Sequence, residues 1–347
     1  MKPDCLLFTL STFLLFACTK ETIKLKGTNT AEVPISARPN CYGNFWQTDA
    51  TIYGHADNFT LNIPTALEYN NKLYVFDAAT DLIRIYNGSG WQLLRSAIPF
   101  ANNPLDRPNF GFTIGNKGYI GNLDINSLTH PFWEYDFGTN TWVQKANFPG
   151  SRRIEGSAAT FSIGTKGYIT GGLSEQNSNA VTLRETWEYD PSNNEWTPKA
   201  DMPSLNRTAY ATGFSAVNKG YVLAGKYITE NSTIHLKKLL EYDPVTDNWT
   251  TKSDFPGLPR YHPSVFVIGS TAFAGCGRTM NTFFKDFYKY NPYSNTWSQV
   301  ADVPVTNASV FGFAISSKGY VEFTDPSANP NFLLKYTPYK CTYPVSQ

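Results

Sequence analysis

Six of the chain's eight tryptophans, Trp46, Trp91, Trp142, Trp196, Trp249 and Trp297, follow one another at intervals of 45, 51, 54, 53 and 48 residues. A period held that closely across 347 residues means one supersecondary unit used repeatedly, each copy hiding its apolar face only by packing on its neighbours. In four units a tyrosine stands seven residues before the tryptophan: Tyr135, Tyr189, Tyr242 and Tyr290. The residues between them form turns, as in Asp190-Pro191-Ser192-Asn193-Asn194 and Asn291-Pro292-Tyr293-Ser294-Asn295, because Pro presets φ and Asn tolerates positive φ. Tyrosine and tryptophan are therefore expected to face each other across a hairpin. Pro149, Pro203, Pro256 and Pro304 each follow a tryptophan by seven residues and mark the end of its strand, since proline cannot donate to a ladder.

A second landmark recurs between the tryptophans: Lys72-Leu73-Tyr74-Val75, Lys117-Gly118-Tyr119-Ile120, Lys166-Gly167-Tyr168-Ile169, Lys219-Gly220-Tyr221-Val222, Thr271-Ala272-Phe273-Ala274 and Lys318-Gly319-Tyr320-Val321. These are six copies of one strand. Gly171-Gly172 follows the third copy, with single glycines at Gly225 and Gly277, where backbone packs too closely for side chains. The order of inner strand, Lys-Gly-Tyr strand, Tyr-Asp-Pro strand and Trp strand resembles the kelch repeat, and the resemblance covers nearly all of residues 41 to 347. It implies an all-β fold, a six-bladed kelch-type β-propeller. The end units depart from the pattern: the first has the tight turn Asn87-Gly88-Ser89-Gly90, an Asn-Gly hairpin signal, and the sixth lacks the double glycine. The aromatic ladder itself is expected to fill the space between twisted blades, each ring contributing a few kcal/mol of buried area.

The ends of the chain predict how the ring closes. The sixth unit reaches Phe332-Leu333-Leu334-Lys335-Tyr336 and has no following tryptophan, whereas Trp46 has no preceding Lys-Gly-Tyr strand. An N-terminal strand around Trp46 therefore completes the last blade and removes two exposed edges. Cys341 lies five residues after Tyr336 and Cys41 five before Trp46, so both fall in the same interrupted turn and a Cys41 to Cys341 disulfide is expected. Chain entropy alone gives a loop this long about 5 to 6 kcal/mol.

Ahead of the repeats, Lys2 precedes an apolar run from Cys5 to Phe16, too short for a permanent membrane helix and of the right size for a secretory signal. It ends in Leu15-Phe16-Ala17-Cys18, which resembles the bacterial lipobox and implies lipidation of Cys18. Residues 1–17 then read as a signal peptide, 18–40 as the lipidated cysteine and a polar tether, and 41–347 as the propeller. Thr19, not Asp, after the cysteine implies an exported lipoprotein of the outer membrane, on either its periplasmic or its cell-surface face. With 41% hydrophobic and 16% charged residues the chain can bury a large core. A net charge of +1 offers no broad footprint for phosphate backbones, so nucleic acid is not an expected partner. A monomer is expected.

Four successive units place an arginine just before the inner strand: Arg107, Arg153, Arg207 and Arg260. In kelch proteins the matching arginines line the channel mouth and pair with ligand carboxylates, so the resemblance implies a ligand site from these four with their neighbours Asn109 and Tyr261. Guanidinium forks contribute about 1.5 to 3 kcal/mol per charged hydrogen bond. Alternatively the arginines bind carbonyls and acids of neighbouring loops and hold the blades together. Strand alternation puts Glu155 beside Arg153 and His262 beside Arg260, a candidate acid and base. His130 and His235 fall in loops joining second and third strands, as do the longest loops, Leu173 to Leu183 and Lys226 to Lys237. Some kelch propellers are copper radical oxidases, but four histidines without a recognisable spacing, and a Cys276 expected in a buried strand, do not supply that ligand set. No metal and no cofactor is expected. The ligand is expected to be a saccharide, acidic ones included, or a protein. The resemblance to exported sialic acid mutarotases implies the alternative, a cofactor-free sugar mutarotase or epimerase.

Overall fold

A computed structural model describes residues 40–51, 65–77, 81–99, 108–123, 130–151, 153, 157–176, 179–229, 232–305, 309–323, 332–338 and 340–342. Two units separate by their internal contacts. The smaller is a two-stranded antiparallel pair of Asn40–Tyr42 with Lys340–Thr342, whose register sets Cys41 opposite Cys341.

The larger unit, Gly43–Pro338, contains six four-stranded antiparallel sheets, the six blades read from the sequence. Blade 3 is typical: inner strand Ala159–Ile163, then Lys166–Thr170, Thr186–Asp190 and the outer strand Glu195–Lys199. The hairpin register sets Tyr189 opposite Trp196, and Tyr135, Tyr242 and Tyr290 face Trp142, Trp249 and Trp297 in the same way. In blade 6 the outer strand is Phe45–Thr51, paired with Phe332–Thr337 so that Trp46 faces Tyr336. The N-terminal strand thus closes the ring as its unmatched landmarks predict.

Turn chemistry explains why five of the six hairpins keep this register. Asn140, Asn194, Asp247, Asn295 and Asn44 each stand two residues before their tryptophan in the left-handed region, φ 48 to 60°, where Asn and Asp are tolerated best. Each accepts the hydroxyl of its blade's tyrosine, at 2.7 to 2.9 Å. The tyrosines are buried, so the bond also satisfies a hydroxyl removed from water.

The inner strands alternate between blade interior and channel. Phe110, Phe112 and Ile114 of strand Phe110–Ile114 point into the core, while Gly111, Thr160 and Gly213 line an axial channel of about 500 Å³. Small residues there allow close approach: a Cβ on Gly213 would lie 2.4 Å from the Thr160 carbonyl oxygen. Hydroxyls stitch neighbouring blades across this wall, Ser162 donating to the Thr113 carbonyl at 2.7 Å and Thr160 to that of Gly111 at 3.0 Å.

Candidate ligand-binding site

The loops that enter the inner strands and those joining second to third strands carry the candidate residues. Second-to-third connections in blades 3 and 4 are hairpins, Leu173–Gln176 with Asn179–Thr182 and Lys226–Ile228 with Thr233–His235. Thr182 couples them, its hydroxyl accepting the Ile228 amide at 2.9 Å. Entry loops step from blade to blade through their backbones: the Tyr210 amide donates to the Ser157 carbonyl at 2.8 Å and that of His262 to Tyr210 at 2.9 Å. Tyr210 and His262 both adopt left-handed conformations, φ 58 and 52°. Such outliers persist only where their surroundings hold them, often at binding sites. Gly225, at φ 93°, must be glycine because a Cβ would meet Thr208 Oγ1 at 2.1 Å.

The expected convergence of four arginines on the mouth is revised. Arg153 is 1% exposed and donates to the carbonyls of Gly171 (2.7 Å) and Ser151 (2.6 Å) and to Glu185 (3.1 Å), over the Phe148 ring. Burial lowers it to about 10, still cationic at neutral pH. Arg260, at 0% exposure, forks onto both Asp286 oxygens at 2.6 and 2.8 Å and donates to the Leu258 and Cys276 carbonyls, between the rings of Phe255 and Phe284. Both are internal staples, because Glu185 and Asp286 stand just before the third strands of blades 3 and 5 and draw the guanidinium inward. Asn109 likewise braces blade 2, bonding Asn122 and the Leu123 amide. Arg107 and Glu155 lie outside the described residues.

What the loops of blades 4 and 5 bring together instead is a cluster of cations and aromatic rings. Lys226 Nζ sits 4.3 Å from the ring centre of Tyr210 and 4.6 Å from that of Tyr261. The Arg278 guanidinium lies 5.2 Å from the ring centre of Tyr261, and that of Arg207 lies 5.4 Å from the ring centre of Tyr227. Lys226 and Arg278 hold matching places in adjacent blades, each following the glycine after the second strand and each bridged to an entry loop, to Ala209 and to Tyr261. His235 stacks on Tyr261 at 5.5 Å, and His262 meets the Tyr210 ring edge at 5.2 Å.

No acidic side chain among the described residues pairs with Arg207, Lys226 or Arg278. The electrostatic result is visible on Lys226, His262 and His235. Burial, with Arg278 beside it, pulls Lys226 below the usual lysine range. Burial and the two cations drive His262 down to about 3, leaving a neutral imidazole at the channel wall. His235 is lowered by burial and Lys226. Half-buried cations without a counter-charge are costly, and an incoming anion relieves that cost. Exposed Leu205, Leu258, Ile234, Met280 and Phe283 belong to the same entry and connecting loops. Lys226 and Arg278 were missed as site residues in the sequence, although a cation directly after Gly225 and Gly277 was the available signal.

A ring of six four-stranded blades, with a cationic and aromatic rim on the loops of two of them, defines a β-propeller. The kelch motif matches residues 157–203 and 259–304, blades 3 and 5, so the chain is a six-bladed β-propeller that carries kelch motifs. It is similar to Kelch-like protein 25 of Xenopus tropicalis, 28% identical over 65% of this chain and 38% of that protein. Kelch-like protein terF of Aspergillus terreus is 25% identical over 69% of this chain and 52% of its own length, and human Kelch-like protein 23 is 25% identical over 66% and 39%. The chain thus spans about two fifths to half the length of these relatives. Among solved structures, that of YjhT is similar with a TM-score of 0.53 and 18% identity over 63% of this chain and 72% of that one, a likeness of fold.

Proposed function

We propose that this propeller is a binding module for a carboxylate-bearing saccharide, held at the rim of blades 4 and 5. The observation that carries the reading is the pair Lys226 and Arg278, two cations in matching places without an acid partner and with tyrosine faces beside them. A carboxylate between them forms charge-assisted bonds, and the apolar face of a sugar ring packs on an aromatic surface. Arg207 and Tyr227 extend the same surface. An acidic protein partner is the competing ligand, in keeping with kelch propellers as interaction modules. The anchoring belongs to the same proposal: export as an outer-membrane lipoprotein through Cys18, with Cys41 and Cys341, opposed in register, joined as a disulfide.

Thermal-shift screening of neutral sugars, uronic acids and acidic peptides tests the ligand class, since a ligand that binds the native state raises its stability. Uronic acids are expected to raise the melting temperature and neutral sugars to leave it unchanged. A shift with acidic peptides alone assigns the face to a protein partner. A second reading, a cofactor-free sugar mutarotase, is favoured by one feature, the neutral imidazole of His262 at the channel wall, which offers a sugar hydroxyl one hydrogen-bond donor and one acceptor. NMR of anomer exchange decides it: catalysis lost in His262→Ala supports the enzyme, and a rate equal to that without protein removes it.

A further inference from the structure

The connections between second and third strands in blades 3, 4 and 5 share one base. The amides of Leu183, Leu236 and Phe284 donate to the carbonyls of Gly172, Gly225 and Gly277 at 2.8, 2.8 and 3.0 Å. Just above, Leu173 faces Thr182, Lys226 faces His235 and Arg278 faces Phe283. Thr182, His235 and Phe283 therefore hold one position in three successive blades, and they differ in what they grip.

Thr182 is 3% exposed, and its hydroxyl spans one residue of the next hairpin, accepting the Ile228 amide at 2.9 Å and donating to the Ile228 carbonyl at 3.2 Å. The alternation of an antiparallel ladder explains why these groups are available. Lys226 turns its amide and carbonyl outward to Ala209 at 2.8 and 2.9 Å, and Ile228, two residues on, turns the same way. At Lys226 a backbone answers; at Ile228 one hydroxyl stands in for the missing strand. Without it a backbone donor and acceptor would lose their partners.

The other flank has no such grip. His235 stands in the place of Thr182, yet its Nε2 is buried without a hydrogen-bond partner among the described residues, and its ring stacks on Tyr261. Length is the reason, because the blade 5 connection closes in six residues, Arg278 to Phe283, where blade 4 uses ten, Lys226 to His235. Met280, the counterpart of Ile228, consequently lies in the turn that the Thr279 amide closes on Thr282 at 2.9 Å, and is 81% exposed. Among the described residues, Thr182 makes the hydrogen bonds that tie residues 227–235 to a neighbouring blade.

We propose that Thr182 is a positioning residue for the rim: by gripping Ile228 it keeps Tyr227 beside Arg207 and His235 on Tyr261, so that the binding face is assembled before a ligand arrives. This role rests on the saccharide reading above. A face assembled only part of the time binds with an affinity reduced by that fraction, so a residue that touches no ligand still sets the affinity.

Calorimetric titration with a uronic-acid oligosaccharide and hydrogen exchange of the full chain test this together in Thr182→Val, which nearly keeps the shape and removes the hydroxyl. Binding is expected to weaken ~10-fold, the loss for a competent fraction of about a tenth. The Ile228 amide is expected to exchange faster while the four-stranded sheets of blades 3 and 4 keep their protection. Thr182→Ser, which retains the hydroxyl, is expected to bind and exchange as the wild type does. A Thr182→Val protein with wild-type affinity would overturn the positioning role alone, as would a loss that Thr182→Ser shares. A wild type that binds no uronic acid overturns the saccharide reading and this role with it. Should Thr182→Val disturb the fold, exchange in the wild type decides: an Ile228 amide as protected as that of Lys226 supports the grip, and a freely exchanging one overturns it.

Discussion

Two kinds of cation look alike in the sequence and differ in what surrounds them. Arg260 is buried against Asp286, so Arg260→Ala strands a carboxylate and is expected to cost about 3 to 5 kcal/mol, measured by denaturant unfolding. Lys226→Ala removes a cation that repels Arg278 and pairs with no acid, so its stability is expected to change by less than about 0.5 kcal/mol. The regular appearance of arginine before four successive inner strands was legible, but its direction was not. Direction depends on an acid far along the chain, Glu185 for Arg153 and Asp286 for Arg260, and that pairing only becomes apparent once the third strand lies beside the entry loop.

The hairpins were the most legible elements, because tyrosine, turn and tryptophan fix register locally and each copy repeats the signal. Trp196→Phe is expected to cost about 1 kcal/mol for the lost bond of its indole N–H to the Ala146 carbonyl, and Trp91→Phe less, since the Trp91 indole N–H has no acceptor among the described residues; thermal unfolding of the two variants side by side checks the order. The segments 173–183 and 226–237 read as loops, yet form short hairpins. Their strands of three or four residues are too short for a period-two pattern to stand out, and the Thr182 bond that couples them is a tertiary contact.

For the whole molecule, six copies of one motif specified the number of blades, and the mismatch between the two chain ends specified closure through Trp46 and Tyr336. The rim cluster escaped because Lys226 and Arg278 are 52 residues apart and become neighbours only through ring geometry. In the proposed function that cluster gives the propeller its chemical preference, and calorimetric titration with a uronic-acid oligosaccharide tests it most directly. Wild type is expected to bind with an affinity that falls as salt rises and as pH passes the lowered titration of Lys226. Lys226→Ala and Arg278→Ala are each expected to weaken binding ~10-fold or more. A Lys226→Ala/Arg278→Ala protein that binds as tightly as the wild type would contradict the account.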